Sequence, residues 1–375
     1  MAKENKFPVR VKYVNLGLRY DSLRREILDK VDKIGLSGNY ILSDEVNKFE
    51  KDFAELCQTK YALGVGNGTD ALTIILHALN FKQGEEVITV PHTFIATAGS
   101  IVAAGMKPVF VDVREDYNMD PSRIESKITK KTRAIIPVHF TGKPADMEPI
   151  LRIAKKNNLQ VIEDSAQAVG AEYNGQRVGS FGVASAFSLH PLKNLHALGD
   201  AGAITTNDSR LYESLRRLRN HGLMNRDECA SFGYNSRLDE IQAGILNIQL
   251  EHVEEWTNRR REIAQRYREG ISEIIRCPID RDDEMQVYHT FVVRHEKRDE
   301  LQKFLLSKGI ETRVHYPIPV HLQMAGKDLE HKVGDFPIAE ALAKDILSLP
   351  VYPELKDAQV DYVIKQINNY VDKLK

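Results

Sequence analysis

The chain has 375 residues, of which 42% are hydrophobic and 28% charged, and a formal net charge of -1. That length exceeds what one hydrophobic core usually serves, so a large domain and a smaller one are expected, on the scale of an enzyme. The balanced charge removes any electrostatic reason to expect nucleic acid or an anionic membrane surface as a partner.

The opening MAKENKFPVR lacks the apolar core of a secretion signal, and no later apolar run is long enough to span a bilayer. A cytoplasmic location follows as the expectation. Cys57, Cys229 and Cys277 are scattered without CxxC spacing, which fits structural thiols in a reducing compartment. Neither a disulfide framework nor a metal site is expected.

Between residues 60 and 206 short apolar runs alternate with amphipathic stretches, the signature of a mainly parallel sheet flanked by helices. TDALTIILHAL at 69–79 has helical spacing; EEVITV, KPVFVDV and TRAIIPVHF then read as strands. DMEPILRIAKKNN at 146–158 is a second helix, followed by the strands LQVIED, ASAFSL and GAITT. A long polar helical stretch over about 236–273 carries the chain out of the large domain. Beyond it VYHTFVVR reads as a strand, RDELQKFLLSKGI as a helix and DAQVDYVIKQINNYVDKL as a closing helix. The division is placed between a large domain, 1–255, with an N-terminal helical segment, and a small α+β domain, 256–375.

Three segments carry chemistry. In YALGVGNGTDAL, Gly66, Gly68 and Thr69 precede a helix, so backbone N–H groups and a hydroxyl gather at a helix N-terminus, an arrangement suited to a phosphate monoester. In VIEDSAQAVG, Asp164 falls at the carboxyl end of a strand, where open α/β sheets place ligand groups. In ASAFSLHPLKNLHALGDAGAI, a strand delivers Ser188, His190 and Lys193 to a loop that returns through Gly199 and Gly202. A phosphate cradle, an acid and a lysine fit the demands of pyridoxal phosphate: phosphate held, pyridine nitrogen kept protonated, aldehyde captured by an amine. Each residue alone has a plainer reading, with Lys193 a solvated loop lysine, Asp164 a strand-end cap and Ser188 a loop hydroxyl.

With these residues laid out, the chain resembles the DegT/DnrJ/StrS sugar aminotransferase family, which has the aspartate aminotransferase fold (fold type I). The likeness runs through GNYILSDEVNKFEKDFAEL, YALGVGNGTDAL, VITVPHTFIATAGSIVAAGMKPVFVDV, AIIPVHFTGKPADM, VIEDSAQAVGAEYNG, SLHPLKNLHALGDAGAI, GYNSRLDEIQAGIL, VHYPIPVH and ILSLPVYPEL. It implies an α/β, PLP-dependent transferase fold: a large domain built on a mainly parallel seven-stranded sheet, with a smaller α+β C-terminal domain.

The resemblance also implies roles. Lys193 is the Schiff-base lysine, Asp164 the partner of the pyridine nitrogen and Gln167 the neighbour of the ring hydroxyl. Gly68, Thr69 and Ser188 hold the phosphate. Phe94 stacks on the ring, or else is a core phenylalanine. Asn235 reaches the phosphate of the other subunit, making a homodimer with shared active sites, while Asn235 or Ser236 can instead cap a helix. The family usually takes L-glutamate as amino donor and returns 2-oxoglutarate; Arg237, whose planar fork suits bidentate binding, is a candidate partner for the donor's carboxylate, with a surface or interface ion pair as its plainer role. His315, Tyr316 and His321 lie near the entrance for a nucleotide-linked keto sugar, with packing in a Pro-rich loop as the alternative.

One branch of the family has histidine in place of the lysine and dehydrates sugars; Lys193 points to transamination. His190 stands where relatives often have tyrosine, and Thr141 and Lys143 stand where relatives acting at carbon 3 often show tyrosine and glutamine. GTDAL and KNLHALGDAGA favour carbon 3 of the sugar over carbon 4 or a keto-cyclitol. A regulatory protein that binds the cofactor without turnover is the competing class.

Overall fold

The computed structural model describes residues 8–374. The first elements are α1 (Leu16–Ser37) and α2 (Asp44–Leu56). In α2 the apolar residues Val46, Phe49 and Phe53 recur at three- and four-residue spacing, which buries one stripe and leaves Lys48 and Lys51 in solvent. Phe53 meets Phe187 edge-on at 5.0 Å, fixing α2 against the central sheet.

Then follow β1 (Tyr61–Val65), α3 (Gly68–Ala78), β2 (Glu86–Thr89), α4 (Ile95–Ala103), β3 (Lys107–Phe110), β4 (Thr132–Ile135), α5 (Met147–Lys156) and β5 (Gln160–Asp164). A small hairpin, β6 (Glu172–Tyr173) and β7 (Gln176–Arg177), leads to β8 (Ala184–Ser188), β9 (Gly202–Thr206) and α6 (Ser209–Leu218). Seven strands form one sheet in the order β1-β9-β8-β5-β4-β2-β3. Pairings from β3 through β8 are parallel, and β9 is antiparallel to both its neighbours. The mainly parallel seven-stranded sheet expected from the resemblance is therefore present. Val87, Ile88, Ala134, Ile135 and Ile162 are fully buried, as in a sheet covered on both faces. Adjacent β5 and β8 end at Asp164 and Ser188, so the sheet itself brings these two side chains to one edge.

The single helical stretch expected over 236–273 is two helices, α7 (Glu240–Leu250) and α8 (Val253–Gly270). At His252 the backbone flattens to φ -108°, ψ -5°, and its N–H bonds Gln249 O, one residue short of the helical partner. The physical reason is two different packing tasks: α7 is buried from Ala243 to Gln249 beneath α1 and α2, whereas α8 is polar and packs on the C-terminal core. The segment 236–239 is not helical, and Asp239 occupies the N-cap.

The chain continues with β10 (Glu284–Met285), β11 (Phe291–Arg294), α9 (Arg298–Ser307), α10 (Pro337–Asp345), β12 (Ile346–Leu349) and α11 (Asp357–Asp372). β11 and β12 pair antiparallel, and Ile263, Tyr267, Phe291, Leu305, Val363 and Ile367 form the core beside them. Val11, near the other end of the chain, joins this core through a bridge to Ile310. The strand expected over VYHTFVVR begins only at Phe291. Tyr288 sits at φ 46°, which interrupts an extended chain, and the N–H groups of Val287 and Thr290 donate to Gly142 O (3.0 Å) and Thr141 O (3.3 Å) instead. That docking holds His289 at the functional site described next.

Candidate active site

The carboxyl ends of β5 and β8, the first turn of α3 and the loop after β2 open onto one cavity of about 330 Å³. Gly68, Thr69, Asp164, Gln167, Ser188 and Lys193 all line it. Phe94, His190, His315 and Tyr316 line it as well.

The α3 turn is built for an anion. Asn67 Oδ1 accepts from Asp70 N at 2.8 Å, which caps the helix, while the N–H groups of Gly68 and Thr69 have no acceptor among the described residues. Unsatisfied first-turn donors with the positive end of the helix dipole favour a phosphate. The turn is pressed against β8 and β9: a Cβ on Gly68 would lie 2.8 Å from Ser188 Cβ, and one on Gly202 would lie 2.4 Å from Asn67 C. Gly202→Ala is therefore expected to push the Asn67–Gly68 backbone outward, costing about 1 to 3 kcal/mol of stability. Urea unfolding and cofactor titration together measure it, with weaker affinity accompanying the lower midpoint.

Asp164 is 5% exposed, with Thr97 Oγ1 donating to Oδ2 at 2.7 Å and Ala166 N to Oδ1 at 3.2 Å. The Thr93 hydroxyl lies 2.8 Å from that of Thr97, continuing the chain of hydroxyls. Burial pushes the Asp164 carboxyl above its ordinary range, against the opposing pull of Thr97, Ala166 and Lys193. Asp164 forms no salt bridge among the described residues. A buried carboxylate in this state is matched by a cationic N–H donor entering the cavity.

Lys193 is half-buried in the loop after β8, its backbone N bonded to His190 O at 2.8 Å. Its Nζ makes no hydrogen bond or ion pair among the described residues. Burial lowers its pKa to about 8, with Asp164 pulling the other way. The neutral, nucleophilic amine then rises from about one part in ten at pH 7 to a majority above pH 8. Capture of pyridoxal phosphate by the apoprotein should accelerate over pH 6.5–9 with an inflection near 8, measured by stopped-flow absorbance. An inflection near 10 would mean an ordinary solvated lysine.

Gln167 Oε1 accepts from Thr141 N at 2.7 Å, which leaves the Nε2 end as a donor toward the cavity. Phe94 is 53% exposed at the N-cap of α4, with its ring 5.7 Å from that of Tyr316. The reading of Phe94 as a core phenylalanine is thereby corrected: it is a cavity wall. His190 is exposed at the rim. His315 Nδ1 is 2.9 Å from Ser348 Oγ, and burial lowers this imidazole to about 4, so it is neutral.

Three expected residues lie outside the cavity of this chain. Asn235 is exposed and bridged through its backbone to Asn220. Arg237 Nη1 donates to Asn220 Oδ1 at 3.1 Å and forms no ion pair among the described residues. His321 is buried, with Nε2 3.1 Å from Glu340 Oε1. The helix-cap reading of Asn235 or Ser236 is corrected too, because the helix starts at Glu240; Ser236 Oγ instead accepts from Gly66 N (3.0 Å) and donates to Asp70 Oδ2 (2.6 Å), tying this segment to the α3 turn. Lys143 is buried against Glu284, and Thr141 meets Gln167 only through its backbone N–H.

Sequence reasoning missed Tyr13, Asn67, Asp200, Arg260 and His289, which also line the cavity. Asn67 was legible as the cap before GTDAL. Asp200 lies in the same loop as Lys193, seven residues on, while Tyr13, Arg260 and His289 come from segments far apart in sequence with no local pattern to mark them. Among the described residues no helix is long and apolar enough to cross a membrane.

Residues 21–368 match the model of the DegT/DnrJ/EryC1/StrS aminotransferase family. A dTDP-3-amino-3,6-dideoxy-alpha-D-galactopyranose transaminase from Aneurinibacillus thermoaerophilus is 47% identical, over 95% of this chain and 98% of its own. A protein of Geobacillus stearothermophilus named a pleiotropic regulatory protein is 46% identical, over 96% of this chain and 98% of its own. The crystal structure of Streptomyces venezuelae DesV in complex with a ketimine intermediate superposes with a TM-score of 0.94 at 41% identity, covering 96% of this chain and 98% of that one.

Proposed function

The chain belongs to the DegT/DnrJ/EryC1/StrS aminotransferase family, and from that membership we propose that it moves an amino group from L-glutamate to the carbon-3 ketone of a nucleotide-linked sugar, using pyridoxal phosphate. The observation that carries the reading is the single cavity shared by Lys193, Asp164 and the open first turn of α3, in a chain with 3-amino-sugar transaminases among its relatives. On this reading the N–H groups of Gly68 and Thr69, with the hydroxyls of Thr69 and Ser188, hold the phosphate. Asp164 keeps the ring nitrogen protonated, Gln167 Nε2 donates to the ring hydroxyl and Phe94 covers the ring face. The bound cofactor supplies an aldehyde that condenses with amines and a ring that accepts the electron pair released at the donor's α carbon. Lys193 Nζ takes the proton from that carbon, and the Thr97 hydroxyl, backed by that of Thr93, keeps the Asp164 carboxylate oriented.

The same proposal makes 1–255 the cofactor-holding domain, 256–375 the smaller domain, and the enzyme a homodimer in which Asn235 serves the partner's site. Its exposure and its absence from the lining of its own cavity favour that assignment. The substrate is tested with 3-keto and 4-keto nucleotide sugars and keto-cyclitols, products resolved by NMR. Amine at carbon 3 is the expected product, and amination of a cyclitol alone would overturn the choice. A cofactor-binding regulator is the second reading, favoured by the name of the Geobacillus relative. Turnover of glutamate separates the two.

A further inference from the structure

Arg260 lines the cavity on α8 and is not among the residues assigned above to the cofactor. It is 4% exposed, and Nη1 donates to the carbonyls of Tyr288 (3.1 Å) and Val351 (2.6 Å). Nε is buried without an acceptor, and Nη2 has none among the described residues either. These two nitrogens form the side-on edge of the guanidinium, the edge that grips a carboxylate through two parallel N–H bonds.

Among the described residues no acid neutralises Arg260 by direct pairing. Glu354, an acid near it, is held by Arg19 at 2.8 Å, and Arg19 adds like-charge repulsion. Burial brings the guanidinium to about 9, so it remains cationic at neutral pH. His289 beside it, and His315 elsewhere on the cavity wall, are neutral because burial lowers both. A buried cation satisfied only by two backbone carbonyls is costly unless an anion completes it.

We propose that the Nε–Nη2 edge of Arg260 receives a carboxylate of the amino-acid donor. The choice of anion follows from substrate chemistry. An α-amino acid carries its carboxylate one bond from the carbon that gives up its proton, so a cation in the cavity that holds Lys193 is placed for it. A nucleotide-linked sugar carries its negative charge on phosphates away from the ketone. The proposal assigns to Arg260 the role that the sequence had given to Arg237.

This inference rests on the transaminase reading, yet its test needs no turnover. Glutarate, a dicarboxylate without an amine, is titrated into the cofactor-loaded enzyme by calorimetry and soaked into crystals of the same form. The expected result is a carboxylate within hydrogen-bond reach of Nε and Nη2, with affinity falling at least about tenfold in R260Q and less in R260K, which keeps the charge but not the fork. In steady state the KM for glutamate should rise while the KM for the sugar stays level. Should R260Q fail to fold, the wild-type crystal structure decides. No binding to wild type, unchanged affinity in R260Q, or a carboxylate seated elsewhere would overturn the role of Arg260 and leave that of Lys193 standing.

Discussion

Replacing Lys193 by alanine should lower kcat by at least about 10⁴-fold, the upper end of what one acid–base group contributes, because the same amine also captures the cofactor. Circular dichroism and melting should change little, since Nζ makes no hydrogen bond or ion pair among the described residues. Borohydride reduction of the wild type should fix the cofactor covalently on the peptide that carries Lys193, and mass spectrometry of Lys193→Ala should find none. Label on another lysine would move the chemistry away from this loop.

Asp164→Asn carries the second large effect. The amide keeps the size of the side chain and loses the charge that favours a protonated ring nitrogen, a charge-assisted bond of about 1.5 to 3 kcal/mol, or roughly 10- to 150-fold in kcat. Stability should move the other way. Burial raises the folded-state pKa of Asp164, so its contribution to stability is fully present below the unfolded value and lost as pH rises through the folded one. At neutral pH the apoprotein therefore gains or keeps stability when the carboxylate is removed. A lower apo melting temperature at pH 7.5 together with unchanged kcat would assign Asp164 to the fold instead of the chemistry.

Much of this site was legible in the sequence because parallel sheets place chemistry at strand ends. Asp164 and Ser188 follow apolar runs that became β5 and β8, and Gly68 and Thr69 precede a helix whose cap, Asn67, has the residue type that caps prefer. What escaped has physical causes. Tyr13, Arg260 and His289 reach the cavity from the N-terminal segment, from a polar helix and from a loop, so only tertiary packing unites them. Periodicity ran straight through Glu251 and His252 because two consecutive helices share one period, and nothing local marks the turn between them. VYHTFVVR has strand composition throughout, yet Tyr288 at φ 46° lets Val287–Thr290 dock on the turn at Thr141 and Gly142. Lys143, a departure from relatives acting at carbon 3, is buried against Glu284, a partner that no local pattern marks. Likeness to a family shows which positions correspond, and the fold decides what each one touches.

The central claim is that Lys193 and its cavity exchange an amine with an amino acid. It is tested most directly by mixing the cofactor-loaded enzyme with excess L-glutamate and no acceptor, following the visible absorbance of the cofactor and assaying 2-oxoglutarate. The visible band should give way to one at shorter wavelength, with one 2-oxoglutarate released per active site. A band that persists unchanged, with no 2-oxoglutarate formed, would contradict the account.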